Sequence, residues 1–296
     1  MLAFLTLFIA GVAADCSRSF LKSATDAYLS AQTAGKPSSL SSFLSSNLTY
    51  TENGKAFDIK NSTLAIPIKS DYTFSAHDTA QCASFTEIVA ANNPHPYVIH
   101  TRIVYAAAKA TLIESIVTDE GDWLFNATGT LDLIQHGDNG TGLEDWTRIA
   151  TAKQDSRAAL QAVGDAYFDR FGNASVYVPW GPPCYRIEGG LDARGTLNGS
   201  YCEQAYPSTI HVPYRRYVVD EEVGVVDMFI GFPGLDRTQG QIPMPDSHLF
   251  RVEGGRIKYL HTASECVVAG CGENNDTLSA RGRYSVQWKR ALISGS

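Results

Sequence analysis

The chain has 296 residues, with 24 Lys or Arg and 31 Asp or Glu, so its formal net charge at pH 7 is −7. A chain of this length suffices for one large domain or two ordinary ones. The acidic balance, without any run of lysines or arginines, excludes nucleic acid as an expected partner.

The first element in chain order is an uncharged apolar segment, residues 2–14, which ends in small residues and is followed by Asp15. About 12 apolar residues are too few to span a bilayer as a helix. The segment therefore predicts a signal peptide over residues 1–14, the alternative being a buried N-terminal helix. We expect a secreted protein that has no membrane segment in its mature form.

Six cysteines and seven N-x-S/T sequons fit a chain that folds in the secretory pathway. Six cysteines allow about 15 pairings, of which we favour the local ones. These are Cys16–Cys82, Cys184–Cys202 and Cys266–Cys271. Several sequons are expected to carry glycans on surface loops. Their asparagines are Asn47, Asn61, Asn126, Asn139, Asn173, Asn198 and Asn275.

Two segments have helical periodicity, residues 20–30 and 156–168, and each contains the triplet Asp-Ala-Tyr. Segments rich in β-branched and aromatic residues follow each helix and predict strands. They are 97–108, 111–118 and 123–134 in the first half, and 214–220, 225–232, 248–252 and 256–262 in the second. This order predicts an α+β fold in duplicate, with one domain over 15–140 and another over 141–296.

The best-defined local pattern is a hairpin over residues 248–261 with Gly254-Gly255 as a two-residue turn. A regular register places His248 opposite His261, and Phe250 opposite Tyr259, on one apolar face. Because histidine transfers protons near neutral pH, His248, His261 and the Tyr259 hydroxyl are candidate catalytic groups, with Phe250 as pocket wall. The alternatives are that both imidazoles cap the sheet, or that a longer turn puts them on opposite faces.

Three prolines within residues 178–190 exclude a regular helix and indicate a rigid loop tied by Cys184. Fixed loops often carry sites, so Trp180 and Tyr185 are candidate substrate-binding residues. A structural plug over the domain end is the alternative.

Adjacent Arg215 and Arg216 lie at the start of a predicted strand and point to opposite faces. One is expected to pair with Asp220, Glu221 or Asp227, while the other meets an anionic or carbonyl group of a ligand. Arg216 and Asp227 complete the candidate substrate-binding set.

Nucleophile-elbow, P-loop, dinucleotide-binding and zinc-protease motifs are absent from the sequence. No cysteine pair has zinc-type spacing with histidines nearby. We therefore expect neither a metal nor an organic cofactor.

Four segments, residues 121–127, 178–184, 215–220 and 245–255, resemble a large set of secreted fungal proteins that carry a domain of unknown function. The strand-Gly-Gly-strand pattern after an N-terminal helix is similar to the nuclear transport factor 2 (SnoaL-like) fold of scytalone dehydratase, ketosteroid isomerase and polyketide cyclases. The resemblance implies two tandem cone-shaped domains, each with N-terminal helices and a curved mixed or antiparallel sheet. It places the pocket between sheet and helices, and we expect it in the C-terminal domain.

The chain also looks broadly like the hetero-Diels–Alderases of fungal tropolonic sesquiterpene pathways. That resemblance implies a secreted, cofactor-independent dehydratase or cyclase, which forms a quinone methide from an apolar small molecule and guides its cycloaddition. The alternatives are a carbohydrate-acting or carbohydrate-binding protein and a non-catalytic carrier of apolar ligands. A monomer or homodimer is expected, in which the tandem domains satisfy each other's sheet contact.

Overall fold

The computed structural model describes residues 16–137, 144–192, 202, 208–233 and 243–267. The predicted signal peptide, the boundary near residue 140 and the partner proposed for Cys266 lie outside these ranges and stay predictions. The same holds for the sequons at Asn139, Asn198 and Asn275. None of the described helices is long and apolar enough to cross a membrane.

The described residues form three α-helices and two six-stranded sheets. The helices are α1 (Arg18–Ala34), α2 (Ala127–His136) and α3 (Arg157–Asp169). The first sheet contains β1 (Leu44–Glu52), β2 (Lys55–Ala56), β3 (Tyr72–Asp78), β4 (Ala83–Ala90), β5 (Tyr97–Ala106) and β6 (Lys109–Thr118). The second contains β7 (Trp180–Glu188), β8 (Leu191–Asp192), β9 (Arg216–Asp220), β10 (Val225–Phe232), β11 (Met244–Glu253) and β12 (Arg256–Ser264).

The two sheets have the same topology. Their strand orders are β2-β1-β6-β5-β4-β3 and β8-β7-β12-β11-β10-β9. In both, the first long strand pairs in parallel with the last one, and the remaining neighbours are antiparallel. The predicted α+β fold class, with two mixed sheets in tandem, is thereby confirmed.

Helices α1 and α3 begin in the same way. Ser17 and Ser156 each accept a hydrogen bond from the backbone N–H three residues further on, and an arginine follows as the first helical residue. The Asp-Ala-Tyr triplets lie at equivalent positions after those arginines. The triplet match that suggested a duplication therefore falls on structurally equivalent residues.

Each long helix packs an apolar stripe of helical period against its own sheet. The buried stripe is Leu21, Ala24, Tyr28 and Ala31 in α1, and Leu160, Val163, Tyr167 and Phe168 in α3. A Cβ on Gly164 would lie 2.5 Å from the sulfur of Met228, so this glycine allows α3 to approach β10 closely. Two separate cores result, one per domain.

A third apolar cluster joins the outer faces of the two sheets. It contains Ala76, Phe85, Val98 and Ile116 from the first sheet and Val218, Phe229, Leu249 and Ala263 from the second. The domains therefore pack sheet against sheet, as expected for a tandem pair.

Reciprocal ion pairs relate the two domains by a pseudo-two-fold axis. The guanidinium of Arg157, at the start of α3, donates to both carboxylate oxygens of Asp78 in β3 at 2.7 Å each. Arg18, at the start of α1, donates in the same two-pronged way to Asp220 at the end of β9. Each domain thus supplies the arginine of one pair and the aspartate of the other. This reciprocity is the pattern of a symmetric dimer interface, here formed within one chain.

The prediction of a strand over residues 123–134 is wrong, because α2 occupies most of it. The Asn126 side chain accepts a hydrogen bond from Gly129 N–H at 2.9 Å, and Gly137 ends the helix with a positive φ. Leu131 and Ile134 pack against the cluster between the sheets at helical spacing. The strand was predicted from the β-branched and aromatic residues of the segment, and the helix-capping residues Asn126 and Gly137 were given less weight.

The predicted loop over residues 178–190 is also corrected. Residues Trp180–Glu188 form β7, which pairs in parallel with β12. Pro182 and Pro183 are exposed, and the pairing shifts register beside them, so the strand tolerates residues that donate no ladder hydrogen bond. The expected tie at Cys184 is present.

The disulfides Cys16–Cys82 and Cys184–Cys202 are both confirmed. They indicate an oxidising compartment. Four sequon asparagines fall within the described residues, and all four are exposed, as glycan attachment requires. They are Asn47, Asn61, Asn126 and Asn173.

We expect Cys184→Ala combined with Cys202→Ala to lower the free energy of unfolding by about 3 kcal/mol. The disulfide spans a sequence separation of 18 residues, and closing a loop of that size restricts the unfolded chain by roughly this amount. Chemical denaturation of the variant and the wild type measures the difference. An unchanged denaturation midpoint would contradict the expectation.

Candidate functional site

The hairpin β11–β12 contains the expected Gly254-Gly255 turn, with both glycines at positive φ. Val252 pairs with Ile257, but Arg251 pairs with Tyr259, which leaves Lys258 as an extra residue in a β-bulge. Downstream of the bulge, His261 pairs with Leu249 and His248 pairs with Thr262. The prediction that the two histidines share one face is therefore wrong.

His248 faces the core of the second domain. Its ring lies 4.9 Å from the ring of Phe168 and 5.4 Å from that of Tyr167, both on α3. Its Nδ1 is 3.1 Å from an Asp246 carboxylate oxygen. Buried among aromatic rings with a carboxylate partner, His248 is part of the packing of this core.

His261 faces the first domain and is held between two glutamates. Its Nδ1 is 3.0 Å from both carboxylate oxygens of Glu87 in β4, and its Nε2 is 2.7 Å from Glu144 Oε2. An ionised carboxylate only accepts hydrogen bonds, so both ring nitrogens must donate and the ring is an imidazolium. All three side chains are at most 3% exposed.

The hydrogen-bonded chain continues from Glu87 across the interface. His100 in β5 places Nε2 3.3 Å from Glu87 Oε1 and Nδ1 2.8 Å from the Ser247 hydroxyl. Ser247 in turn lies 2.8 Å from Asp227 Oδ1. Side chains of both sheets, together with Glu144, thus form one buried polar chain, which we call the interdomain network (Asp227, Ser247, His100, Glu87, His261 and Glu144).

The charges of the network reinforce one another. Burial alone would lower the pKa of His261, but the negative charges of Glu144 and Glu87 outweigh it and raise that pKa well above its usual value. Burial likewise opposes ionisation of Glu87, yet the charge of His261 and the hydrogen bonds from both histidines bring its pKa well below the usual range. The ion pair is therefore fully charged at neutral pH.

The pKa of Asp227 is shifted in the opposite direction to that of Glu87. Burial raises its pKa well above the usual value, and the hydrogen bond with Ser247 and the charge of Arg102 offset this only in part. Its Oδ2 has no hydrogen-bond partner among the described residues. In the protonated form, Asp227 can donate to Ser247, which then donates to His100 Nδ1, and His100 Nε2–H points at Glu87.

We expect Asp227→Asn to raise stability at pH 7. A carboxyl whose folded pKa is raised favours folding below its unfolded pKa of about 3.9 and opposes it progressively as pH rises towards the folded value. Asparagine is uncharged at every pH and keeps a donor for Ser247. The advantage of the variant should shrink as the pH falls towards 4, which denaturant melts across this range would measure. A variant less stable than the wild type at pH 7 would contradict the prediction.

A half-buried aromatic cluster, comprising Phe74, Trp146, Tyr185 and Tyr259, adjoins the glutamate end of the network. The Trp146 ring lies 4.7 Å from Phe74, 5.6 Å from Tyr259 and 5.2 Å from the His261 imidazole. Tyr185 stacks on Tyr259 with centroids 6.3 Å apart. Trp146 covers His261, and its indole N–H donates to Glu144 at 2.9 Å.

Two polar groups of this region are suited to proton transfer. Burial raises the pKa of the Tyr259 hydroxyl, which therefore stays a proton donor at neutral pH. Glu144 Oε1 is buried and has no hydrogen-bond partner within the described ranges, whereas Oε2 accepts from His261 and Trp146. One carboxylate oxygen is thus held in place and the other is left to accept a proton.

The remaining predicted residues are distributed over three places. Trp180 and Phe250 belong to the core of the second domain, where their rings pack around Tyr167. Asp227 lies inside the interdomain network, too deep to contact a ligand. Arg216 lies elsewhere, on a cleft between the domains. The structure therefore brings together His261, Tyr259 and Tyr185, and separates them from His248, Trp180 and Phe250.

The expected partners of the arginine pair are wrong. Arg215 donates to Asp165 and Asp169 of α3, at 2.8 and 2.7 Å, and not to a carboxylate of its own hairpin. Arg216 pairs with Glu114 in β6 of the first domain at 3.0 Å. The sequence indicated that the two side chains diverge, but not which elements they meet.

The sequence analysis missed six members of the site: Glu87, His100, Ser247 and Glu144 of the network, and Phe74 and Trp146 of the aromatic cluster. Only Glu87 carried a signal, since a glutamate interrupts the otherwise apolar or small-residue strand Ala83–Ala90, and every residue of that strand is buried. A charged residue in a fully buried strand requires a partner. Within the part of the chain that the structure describes, no group of three or more His, Cys, Asp or Glu is arranged to hold a metal ion.

Residues 153–264 match a family described as a domain of unknown function (DUF8021). This match agrees with the predicted resemblance to proteins carrying such a domain, over the second half of the chain. No curated protein matches the sequence.

Among solved structures, the chain is similar to an NTF-2 like protein of unknown function from Burkholderia xenovorans LB400. The sequence identity is 15%, the TM-score is 0.27, and the alignment covers 34% of this chain and 84% of the other. At that TM-score the likeness carries no functional inference. The strand order and pairing of the chain itself define its α+β fold with two mixed sheets.

Proposed function

We propose that this protein is a secreted, cofactor-independent dehydratase or cyclase that acts on an apolar aromatic substrate. The observation that carries the proposal is the His261 imidazolium, held between Glu87 and Glu144 beside a half-buried aromatic cluster. General acid–base catalysis requires a positioned proton acceptor and donor. Glu144 Oε1 and the Tyr259 hydroxyl supply these two roles, while Tyr185 and Trp146 offer ring faces for stacking.

In the proposed reaction a phenol bearing an ortho hydroxymethyl group loses water. Glu144 Oε1 accepts the phenolic proton, the ring electrons shift to form the exocyclic C=C bond, and the benzylic C–O bond breaks. Tyr259 donates its proton to the departing hydroxide, so the products are a quinone methide and water. The proton on Glu144 then returns to Tyr259. Cycloaddition with an alkene needs no further groups, only a surface that holds both partners in orientation.

His261 acts through Glu144 in this scheme and is a positioning residue. Its Nε2–H fixes Glu144 Oε2 and leaves the buried Oε1 as the carboxylate oxygen that has no hydrogen-bond partner among the described residues. The disulfides support a protein that works in an oxidising compartment, and the predicted signal peptide supports secretion.

Incubating the purified protein with 1-hydroxy-2-(hydroxymethyl)naphthalene and an electron-rich alkene tests the proposal. We expect cycloadduct to form faster than in buffer, and Glu144→Gln to lower the turnover by about 100-fold or more. His261→Asn should lower kcat with little change in KM. His248→Asn is the matched control, because His248 lies in the core of the second domain; it should keep wild-type turnover if melting shows that it folds.

Turnover that survives Glu144→Gln, or that depends on His248 and not on His261, would overturn the assignment.

The second candidate function is carbohydrate binding, which the stacked pair Tyr185 and Tyr259 favours because aromatic faces also pack against sugar rings. A polysaccharide that binds and is released unchanged, with binding lost in Tyr185→Ala and kept in Glu144→Gln, would favour that function instead.

A further inference from the structure

A second site lies between the two domains, in a cleft of about 410 Å³. Its walls come from β6 and the end of β1 in the first domain, and from β10 and the starts of β9 and β11 with the residues just before them in the second. Cavities of this volume at domain interfaces commonly bind small molecules. None of the acid–base groups assigned above lines this cleft, so it is independent of the proposed function.

Two charged side chains, Glu114 and Arg216, line the cleft, and Arg102 contacts Glu114 from outside this lining. Glu114 accepts from Arg102 through one carboxylate oxygen, at 2.5 Å, and lies 3.0 Å from Arg216 Nε through the other. Two guanidinium groups thus share one carboxylate, and the three side chains sum to +1. Arg216 is 38% exposed on the side chain, while Arg102 and Glu114 are mostly buried.

The rest of the lining includes the polar residues Thr51 and Ser115 and an apolar part. Ile116 and Phe229 form one section of the apolar part, and Pro243 and Pro245 another. A Cβ on Gly231 would lie 2.7 Å from Pro243 and 2.9 Å from the Tyr214 ring, so the absence of a side chain at this position keeps the space open.

Tyr214 forms the rim of the cleft in an unusual conformation. Its φ is +61°, in the left-handed region that disfavours residues with a Cβ, and the residue is 67% exposed. Its backbone carbonyl accepts from Arg216 at 2.6 Å. Backbone strain of this kind clusters at ligand clamps, and here it presents an aromatic ring beside the exposed guanidinium.

We propose that this cleft binds a small organic acid, whose carboxylate meets Arg216 and whose apolar body lies against Ile116, Phe229 and the prolines. Arginine recognises carboxylates through paired, charge-assisted hydrogen bonds. The net charge of +1 favours an anion over a neutral or cationic molecule of the same shape. Tyr214 covers the bound ring from the solvent side.

Calorimetric titration with three probes of one shape tests the charge preference. These are 2-naphthoate, 2-naphthalenemethanol and 2-naphthylmethylammonium. We expect the acid to bind at least about tenfold more tightly than the alcohol, and the amine more weakly than either. Equal affinity for the acid and the alcohol would overturn the proposal.

Variants then locate the binding. Arg216→Gln should weaken naphthoate binding by about tenfold, whereas Lys22→Gln, which removes an exposed positive charge on α1, should leave it unchanged. Glu114→Gln should strengthen binding severalfold, because it raises the local charge to +2. Weaker binding by a folded Glu114→Gln variant, or unchanged binding by Arg216→Gln, would contradict the site.

If Glu114→Gln does not fold, Gly231→Ala provides a second test, since the added methyl group would crowd Tyr214 and Pro243 and should weaken naphthoate binding. Retained affinity in that variant would count against the cleft as the binding place. His261→Asn should bind naphthoate like the wild type, which separates this site from the acid–base groups of the proposed function.

Discussion

Replacing Asp220 with alanine is expected to lower the free energy of unfolding by about 3–5 kcal/mol, as for other buried ion pairs that lose one partner. The carboxylate is buried and accepts hydrogen bonds from both terminal nitrogens of Arg18 and from the backbone N–H of His77, Glu222 and Val223. Alanine would leave these donors without their acceptor at the point where α1 and β3 meet the second domain. Chemical denaturation measures the loss.

The pseudo-two-fold axis makes this prediction specific. Asp78 accepts an equivalent set, from Arg157 and from the backbone N–H of Ala80, Gln81 and Val219. Asp78→Ala should therefore destabilise the protein to a similar extent. Arg18→Ala is the matched control and should have a smaller effect, because that arginine is 31% exposed and its loss leaves Asp220 with three backbone donors. A loss below about 1 kcal/mol for either aspartate variant would show that the reciprocal pairs do not hold the domains together.

Glu87→Gln, made by itself in the wild-type protein, is expected to lower the free energy of unfolding by about 3–5 kcal/mol at pH 7. Glutamine cannot balance the charge of His261, which would be left buried with Glu144 as its single anionic partner. Because the folded pKa of Glu87 is depressed, its contribution is complete above the unfolded value of about 4.3 and is lost as pH falls through the folded pKa. The difference from the wild type should thus be constant from pH 5 to 7 and begin to shrink below about pH 4.

Glu253→Gln is the matched control for this substitution. Glu253 pairs with Arg251, but it is 41% exposed, and exposed pairs contribute about 0–1 kcal/mol. Both melts can be followed by the same denaturant series across pH. Equal, small effects of the two glutamine variants would mean that the interdomain network is not a charged one.

Much of the fold could be predicted from the sequence, because the long helices and the hairpin turn depend on residues that are close together in the chain. Apolar residues at helical spacing predicted α1 and α3, and the repeated triplet of Asp26 and Asp165 marked equivalent turns of the two helices. The Gly254-Gly255 turn was predicted because only glycine occupies two successive positions of positive φ without strain. The two disulfides among the described residues, which join consecutive cysteines of the chain, were also predicted correctly.

The site could not be predicted because it depends on one inserted residue and on distant partners. Lys258 is a half-buried residue three positions after the Gly254-Gly255 turn, and nothing in a period of two reveals the bulge that turns His261 to the other face. Glu87 and Glu144 lie 174 and 117 residues away from His261 in the chain. Their meeting follows from the packing of one sheet on the other, which no local pattern encodes.

The duplication nonetheless explains where the two sites lie. The β5–β6 hairpin turns at Ala107 and Ala108, both at positive φ, and has a register shift at the position equivalent to the bulge beside Lys258. Counted from the turns, Glu114 in β6 is therefore the equivalent of His261 in β12. One position carries an anion between two arginines, and the other carries a cation between two glutamates. Pseudo-symmetric positions on the interface thus lie in the proposed organic-acid cleft and in the proposed acid–base site.

The most direct test of the acid–base site is the protonation state of His261 in solution. Nitrogen-15 NMR of the imidazole side chains at pH 8, with His261→Asn to assign the signal, distinguishes imidazolium from neutral imidazole. The charges of Glu87 and Glu144 predict that both ring nitrogens of His261 still carry protons at that pH. A neutral His261 ring that titrates near the ordinary histidine pKa of about 6.5 would contradict the site.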